Sequence, residues 1–370
     1  MTWTVQEGAA GGAVSSTGTY TAPSTPGTYH VVATSVADGT RQDVAAVTVA
    51  TAASGWLTVV GNRIETPDGL PWRGRGANLH DTRGCGACTY NSPSVAEVNR
   101  RIDELVDNWH ANFIRLDLES YAAANGQVNW AGILLDAGYL ADVQAIVAHA
   151  VAKPGVYVLI SLWVDPSFTS LGWPTAATNQ QWAKLAEVFR DEPRVLYGIV
   201  NEPQANYDGA QDAQVWSAMN AAVQAIRDVE TAAGTPHHVI TVQGTRSWSR
   251  VLDYYLTHPI TAGGGVNIAY ETHVYDGANQ FAARFETPSL TVPVIIGEFG
   301  PVSGSMTESD CATLMASAEA HGVPYLAWTF HMRCPPNLLV DNSGGSCGVG
   351  MTLAPTSWGT LLKNRLATPW

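Results

Sequence analysis

The chain has 370 residues, of which 46% are hydrophobic and 14% charged, and its formal net charge is −13. That balance excludes a disordered chain, and the acidic excess argues against nucleic acid or an anionic membrane as partner. No apolar run reaches the roughly 18 residues a membrane helix needs; the longest, around Val156–Val164, has strand length and contains Ser161. Thirteen Trp is a high number, and indole faces stack on flat apolar or sugar-ring surfaces.

Residues 1–50 are rich in Gly, Thr, Ser, Ala and Val. They alternate with period two in Thr28–Thr34 and Val44–Val49, with turn residues at Pro23–Gly27 and Asp38-Gly39. This pattern predicts a small antiparallel β unit of about four short strands, and residues 51–55 read as a linker. From residue 56 to 370, strands alternate with helices. The strand candidates are Trp72–Asn78, Ala111–Leu118, Val156–Trp163, Val195–Asn201, His238–Gln243, Val266–Thr272, Val292–Glu298 and Tyr325–Phe330. Helical spacing is clearest in Ser94–Trp109, Asp136–Ala152, Asn179–Phe189, Asp212–Ala233 and Thr307–His321. Ser94 and Thr307 are candidate N-caps, with Glu97 and Asp310 in the reciprocal positions of a capping box. Eight strands with helical crossovers predict an α/β fold, a (β/α)8 barrel. The doubly wound alternative lacks a Gly-rich phosphate loop after its first strand.

Cys85 and Cys88 form a CxxC without a second pair or suitably spaced His, which argues against zinc. Cys334 and Cys347 are the disulfide candidates, closing a loop with turn residues at both ends; the competing scheme links that loop to Cys85 or Cys88. Cys311, on an apolar stripe with Leu314, Met315 and Ala318, reads as a free buried thiol.

Buried parallel strands should be nearly unbroken apolar runs. Here they carry costly residues towards their C-terminal ends: Asn78 and His80 on the first, Arg115 on the second, Asn201 and Glu202 on the fourth, His273 and Tyr275 on the sixth, Glu298 on the seventh and Trp328 on the eighth. In a barrel these ends meet at one rim, where active sites of this fold sit. Two carboxylates brought together there push one pKa upward, as acid/base chemistry requires.

Placed together, Ile199-Val200-Asn201-Glu202-Pro203, Ile295-Ile296-Gly297-Glu298-Phe299-Gly300 and the intervening His273-x-Tyr275 resemble the glycoside hydrolase family 5 enzymes, which include cellulases, mannanases and related endo-glycanases. The opening from Leu57 through Gly61-Asn62 to Arg73-Gly74 is similar to the family's usual start. The resemblance implies Glu202 as general acid/base with a raised pKa, Glu298 as nucleophile held ionised by Arg115, and Asn201 bonded to the sugar 2-hydroxyl. It further implies His273 and Tyr275 as groups that orient the carboxylates, and Trp328 as the sugar platform. Many members carry His at the end of the third strand where this chain has Trp163, read as a core or sugar-stacking residue, with His80 filling the vacated space.

The implied activity is a retaining endo-β-glycanase cutting β-1,4 links of a cellulose-type or mixed-linkage glucan, with no metal or organic cofactor. A β-mannanase or xyloglucanase is the rival within the class, and a catalytically silent carbohydrate-binding protein the rival outside it. Tyr90, Trp173, Tyr207 and Trp248 are aromatics whose distance from the cleft decides substrate. A secreted location follows from the family alone, since no export signal is read after Met1. Residues 1–50 resemble the later part of a bacterial Ig-like module, from Gly18–Pro23, Pro26–Tyr29 and Val47–Val49. A module short of strands has an open edge, so it is expected to pack on the larger domain or to self-associate with a second copy.

Overall fold

A computed structural model describes residues 1–370 other than 24, 26, 50–54, 84–93, 120–131, 204–205, 343 and 345–347. The chain divides into two compact units, Met1–Ser54 and Gly55–Trp370.

In the first unit, Gly27–Thr34 is the central strand of a three-stranded antiparallel sheet, flanked by Thr2–Val5 and Gln42–Val49. Ala13–Val14 and Tyr20–Thr21 form a separate ladder. Among the described residues five strands thus stand where the alternation predicts about four, because the two-residue ladder is too short to leave a periodic signal.

The second unit is a closed barrel of eight parallel strands: Arg75–His80, Phe113–Glu119, Tyr157–Val164, Val195–Gly198, Ile240–Gln243, Ile268–Val274, Val294–Phe299 and Tyr325–Ala327. The eighth pairs with the first through Tyr325↔Arg75 and Ala327↔Ala77. A hairpin, Thr58–Val60 with Arg63–Glu65, precedes the barrel.

Helices cover the outside because their apolar stripes match the strands' outward residues. Asp212–Ala233 buries Val215, Met219, Ala222, Val223 and Ile226, one face at helical spacing, and ends where Gly234 takes φ 70° as its C-cap. Each of the larger four, Val215, Met219, Val223 and Ile226, contributes about 1.5–3 kcal/mol by leaving water. The capping signals divide: Thr307 and Asp310 exchange both bonds of a capping box. Ser94 accepts from the Glu97 N–H, but the Glu97 carboxylate turns to Arg100 and Arg101 instead of returning the bond. Two guanidiniums outcompete one amide for that carboxylate. The helix Ser357–Leu366 falls outside the helical candidates.

Inward-facing residues change character along the barrel axis. Near the strand starts they are apolar: Leu57, Trp72, Phe113, Leu159, Leu196, Ala269, Ile295 and Leu326 share one cluster. Two residues further along, the same faces carry Arg115, Ser161, Glu271 and Trp328.

Candidate active site

Arg115 is the centre of the polar half. Its guanidinium is fully buried and donates to Glu298 Oε1 at 2.6 Å, Asn78 Oδ1 at 2.8 Å, Asn201 Oδ1 at 2.8 Å and Ser161 Oγ at 3.0 Å. Asp117 Oδ1 lies 3.2 Å away and Glu271 Oε1 3.5 Å. An Arg can be buried here because it spends its charge on three carboxylates and its fork on several acceptors.

Glu298 reaches this site through a break in register. Thr272 pairs with Ile296 but His273 pairs with Glu298, so Gly297 is an extra residue on the seventh strand. Ile295 faces inward and Ile296 outward; without the extra residue Glu298 would share the outward face of Ile296. Gly297 also makes room for a neighbour, since a Cβ there would lie 2.1 Å from Glu271 Oε1. The third strand has a similar shift, Leu162 pairing with Leu118 and Val164 with Glu119, which leaves Trp163 unpaired and aimed into the cleft.

Tyr275 donates to Glu298 Oε2 at 2.9 Å. His273 bridges the two glutamates, its Nδ1 lying 2.9 Å from Glu202 Oε1 and 3.5 Å from Glu298 Oε2. Its Nε2 meets Glu271 Oε1 at 3.0 Å. One oxygen of Glu202, one nitrogen of His273 and one oxygen of Glu298 all lie within 4.8 Å of one another. These three could also ligate a cation, but an imidazole that donates from Nδ1 to Glu202 has no lone pair there to offer.

The carboxylates open into a cleft of about 400 Å³ walled by Trp163, Trp328, Trp248 and Arg250. Trp163 and Trp328 stack at 5.5 Å with planes 26° apart, and His80 stands edge-on to both, at 5.2 and 5.3 Å. Tyr207 meets Trp248 edge-to-face at 5.3 Å. Trp173 packs on the outer core, and Tyr90 lies outside the described residues.

The model for cellulases of glycosyl hydrolase family 5 matches residues 73–333. The chain belongs to this family. It is 25% identical over 238 residues to a mannan endo-1,4-beta-mannosidase of Cellvibrio japonicus, covering 60% of this chain and 51% of that one. It is 26% identical over 240 residues to Endoglucanase 1 of Saitozyma flava, covering 60% and 62%. The family 5 chain thus spans about half to three fifths of these two relatives. The catalytic domain of a Thermobifida fusca endoglucanase in complex with cellotetraose has the same fold, with TM-score 0.64 at 20% identity over 85% of this chain and 98% of that one.

In this family 5 chain the polar set is larger than the strand ends suggest. Glu271, Asp117, Glu119, Gln243 and Asp81 are all buried. For three of them the signal is period two from residues already singled out, Asp117 and Glu119 after Arg115 and Glu271 before His273 and Tyr275; Asp81 adjoins His80, and Gln243 has no such marker. His80 Nδ1 lies 2.6 Å from Glu119 Oε1, both side chains fully buried. Cys334 is disulfide-bonded; Cys347, Cys85 and Cys88 lie outside the described residues. Cys311 is buried and free.

Burial and pairing set the protons. Burial alone would lower His273, but the Glu298, Glu202 and Glu271 carboxylates raise it to about 9. Burial alone would raise Glu271, yet Arg115, His273 and Thr241 hold it at about 2. Burial pushes the Glu298 carboxyl up, against the pull of His273 and Arg115, while Glu202 sits nearer the mouth with 25% of its side chain exposed. Glu298 is deeper in the barrel, and that desolvation is invisible in the motif. Oε1 of Glu298 nevertheless faces Arg115, which can only donate, so the site is built for its ionised form.

His80 is pushed down to about 3 by burial and by Arg101 and Arg115. Asp81 is raised to about 7 by burial and Glu119. The linkage to stability follows. His273 stabilises the fold fully below its unfolded value of about 6.5, and that contribution is lost as pH rises through about 9. His80 does the opposite: its contribution, present above about 6.5, is lost as pH falls towards 3. Asp81 blunts the acid-side loss, since its own contribution is largest at low pH and fades as pH rises through about 7. The expected melting temperature peaks near neutrality and falls towards pH 9. Thermal denaturation across that range checks it, and a Tm still climbing there would contradict the His273 pairing.

Proposed function

We propose that the chain is a retaining endo-β-glycanase that hydrolyses β-1,4 links of a glucan, with Glu298 as nucleophile and Glu202 as general acid/base. The observation that carries this reading is the 4.8 Å limit on the distance between the two carboxylates' nearest oxygens, with His273 between them. Retaining enzymes hold their carboxyl groups about 5–5.5 Å apart, whereas inverting ones need roughly 6.5–9.5 Å to admit a water.

Each step balances. A Glu298 oxygen attacks the anomeric carbon as the glycosidic C–O bond breaks, and the Glu202 proton passes to the leaving oxygen. Glu202, now ionised, takes a proton from water as that water attacks the anomeric carbon and releases Glu298. Arg115 and Tyr275 fix the attacking carboxylate through one oxygen each. In this reading Asn201, which accepts from the same guanidinium, bonds the 2-hydroxyl, and the Trp163–Trp328 surface gives a sugar ring an apolar face.

A mannan-cutting reading is the second candidate, favoured by the likeness to the Cellvibrio japonicus mannosidase. The expected result is a ladder of short oligosaccharides from mixed-linkage β-glucan and carboxymethyl cellulose, with the first-formed product of β configuration by proton NMR. Faster cleavage of glucomannan selects the mannanase. An α-configured first product overturns the retaining mechanism, and binding without cleavage of any of these, or of xyloglucan, overturns the enzyme reading.

A further inference from the structure

Gln243 closes the fifth barrel strand, is fully buried, and has an amide whose every face is engaged. Its Oε1 accepts from the Glu202 N–H at 2.6 Å and from Ser249 Oγ at 2.5 Å. Its Nε2 donates to Glu271 Oε1 at 2.9 Å. These neighbours fix which way the amide points, since a flipped one would set its NH2 against an N–H and its oxygen against a carboxylate. Tyr255 anchors the backbone of the same residue, donating to Gln243 O at 2.9 Å.

The two donors on Oε1 both come from strained backbone. Glu202 has φ 48°, and Ser247, Trp248 and Ser249 have φ 52°, 56° and 64°. L-residues avoid this region and stay in it where their surroundings hold them. The Trp248 turn folds directly over the strand end: a Cβ at Gly244 would meet Val251 O at 2.6 Å and Ser249 O at 2.7 Å. Below its tip the turn is tied to the segment after Glu202 through Asp212, which accepts from Thr245, Arg246 and Asn206. One amide oxygen thus meets both the backbone that carries Glu202 and the turn that carries Trp248, and both side chains line the same cleft.

We propose that Gln243 is the positioning residue of the acid/base carboxyl, holding the Glu202 peptide in its left-handed conformation and tying the Trp248 wall of the cleft to the same point. The proposal rests on the reading of Glu202 as acid/base. A general acid works only within hydrogen-bond reach of the leaving oxygen, and a displacement of about 1 Å costs on the order of 10²-fold. The effect is selective: a leaving group that departs as a stable anion needs no proton, so a misplaced acid slows only the poor leaving groups.

The test is kcat/KM for a series of aryl β-cellobiosides of graded leaving-group acidity, or the mannobiosides if the substrate panel selects mannan. Gln243→Leu is expected to slow the poorest leaving groups by roughly 30–100-fold and the dinitrophenyl glycoside by less than about threefold. The plot of log kcat/KM against leaving-group pKa then steepens. Thermal denaturation checks folding, and if the Leu variant does not fold, Gln243→Asn, whose shorter side chain withdraws the oxygen, is measured instead and should steepen the plot likewise. A loss equal across all leaving groups, or none at all, overturns the proposal by reducing Gln243 to a packing residue. Glu202→Gln in the same series separates the two claims. If it also gives a flat plot, the acid/base reading falls; if it is steep while the Gln243 variants are flat, only the role of Gln243 falls.

Discussion

Glu298→Gln is expected to fold and to lose turnover by at least about 10⁴-fold, because an amide cannot form the glycosyl intermediate. Folding survives because Arg115 retains Asp117 and Glu271 as counter-charges. Glu202→Gln should lose roughly 10²–10⁴-fold on poor leaving groups, the usual worth of a positioned acid. Azide supplies a second readout. With Glu298→Gly the space vacated by the carboxylate admits the small anion, which should attack from the nucleophile's side and yield a glycosyl azide of inverted anomeric configuration. Activity of the Gln variant close to that of the parent would remove Glu298 from the mechanism. A glycosyl azide of retained configuration would exchange the roles of the two glutamates.

The second large effect concerns stability. Arg115→Met removes the cation that Asp117, Glu271 and Glu298 share inside the barrel, and the replacement side chain has no donor for Asn78, Ser161 or Asn201. Breaking a buried pair from one side costs about 3–5 kcal/mol, which for a domain of this size lowers Tm by on the order of 10 °C. Part of that loss should return at low pH, where the stranded carboxylates take up protons. Thermal denaturation of both proteins at neutral and acidic pH measures it; an unchanged Tm would show that the three carboxylates are neutralised in some other way. Arg115→Lys keeps the charge but not the fork, and should fall between parent and Met variant.

What the sequence makes legible divides along physical lines. The barrel was legible because eight β-branched runs alternate with helical spacing, and the glutamates stood out because Glu202 and Glu298 interrupt apolar strands. The inner polar set was harder. Glu271 lies inside the run Ile268–Val274, and recognising it requires knowing which parity of that strand faces the axis; His273 and Tyr275 give that parity once they are taken as a pair with it. Gln243 carried no charge to draw attention. The inward turn of Glu298 depends on a shift against the neighbouring strand at Gly297, a pairing property that one strand's sequence does not contain. The upward pull of burial on Glu298 is hidden for a related reason: it depends on depth, and a motif does not record depth.

The change of character along the barrel axis separates two kinds of mutational freedom. The apolar layer of Phe113, Leu159, Leu196, Ile295 and Leu326 sits on the same strands as the chemistry but takes no part in it, so a share of the folding free energy is held by residues that turnover does not use. Drift in the rim loops can then remodel which sugars fit without eroding the foundation, and repacking that layer can raise tolerance to such drift before any loop is altered. For directed evolution towards a new polysaccharide, the order of work follows: reinforce the base of the barrel first, then diversify the loops around Trp248 and Tyr207, leaving Gln243 and the Arg115 carboxylates untouched.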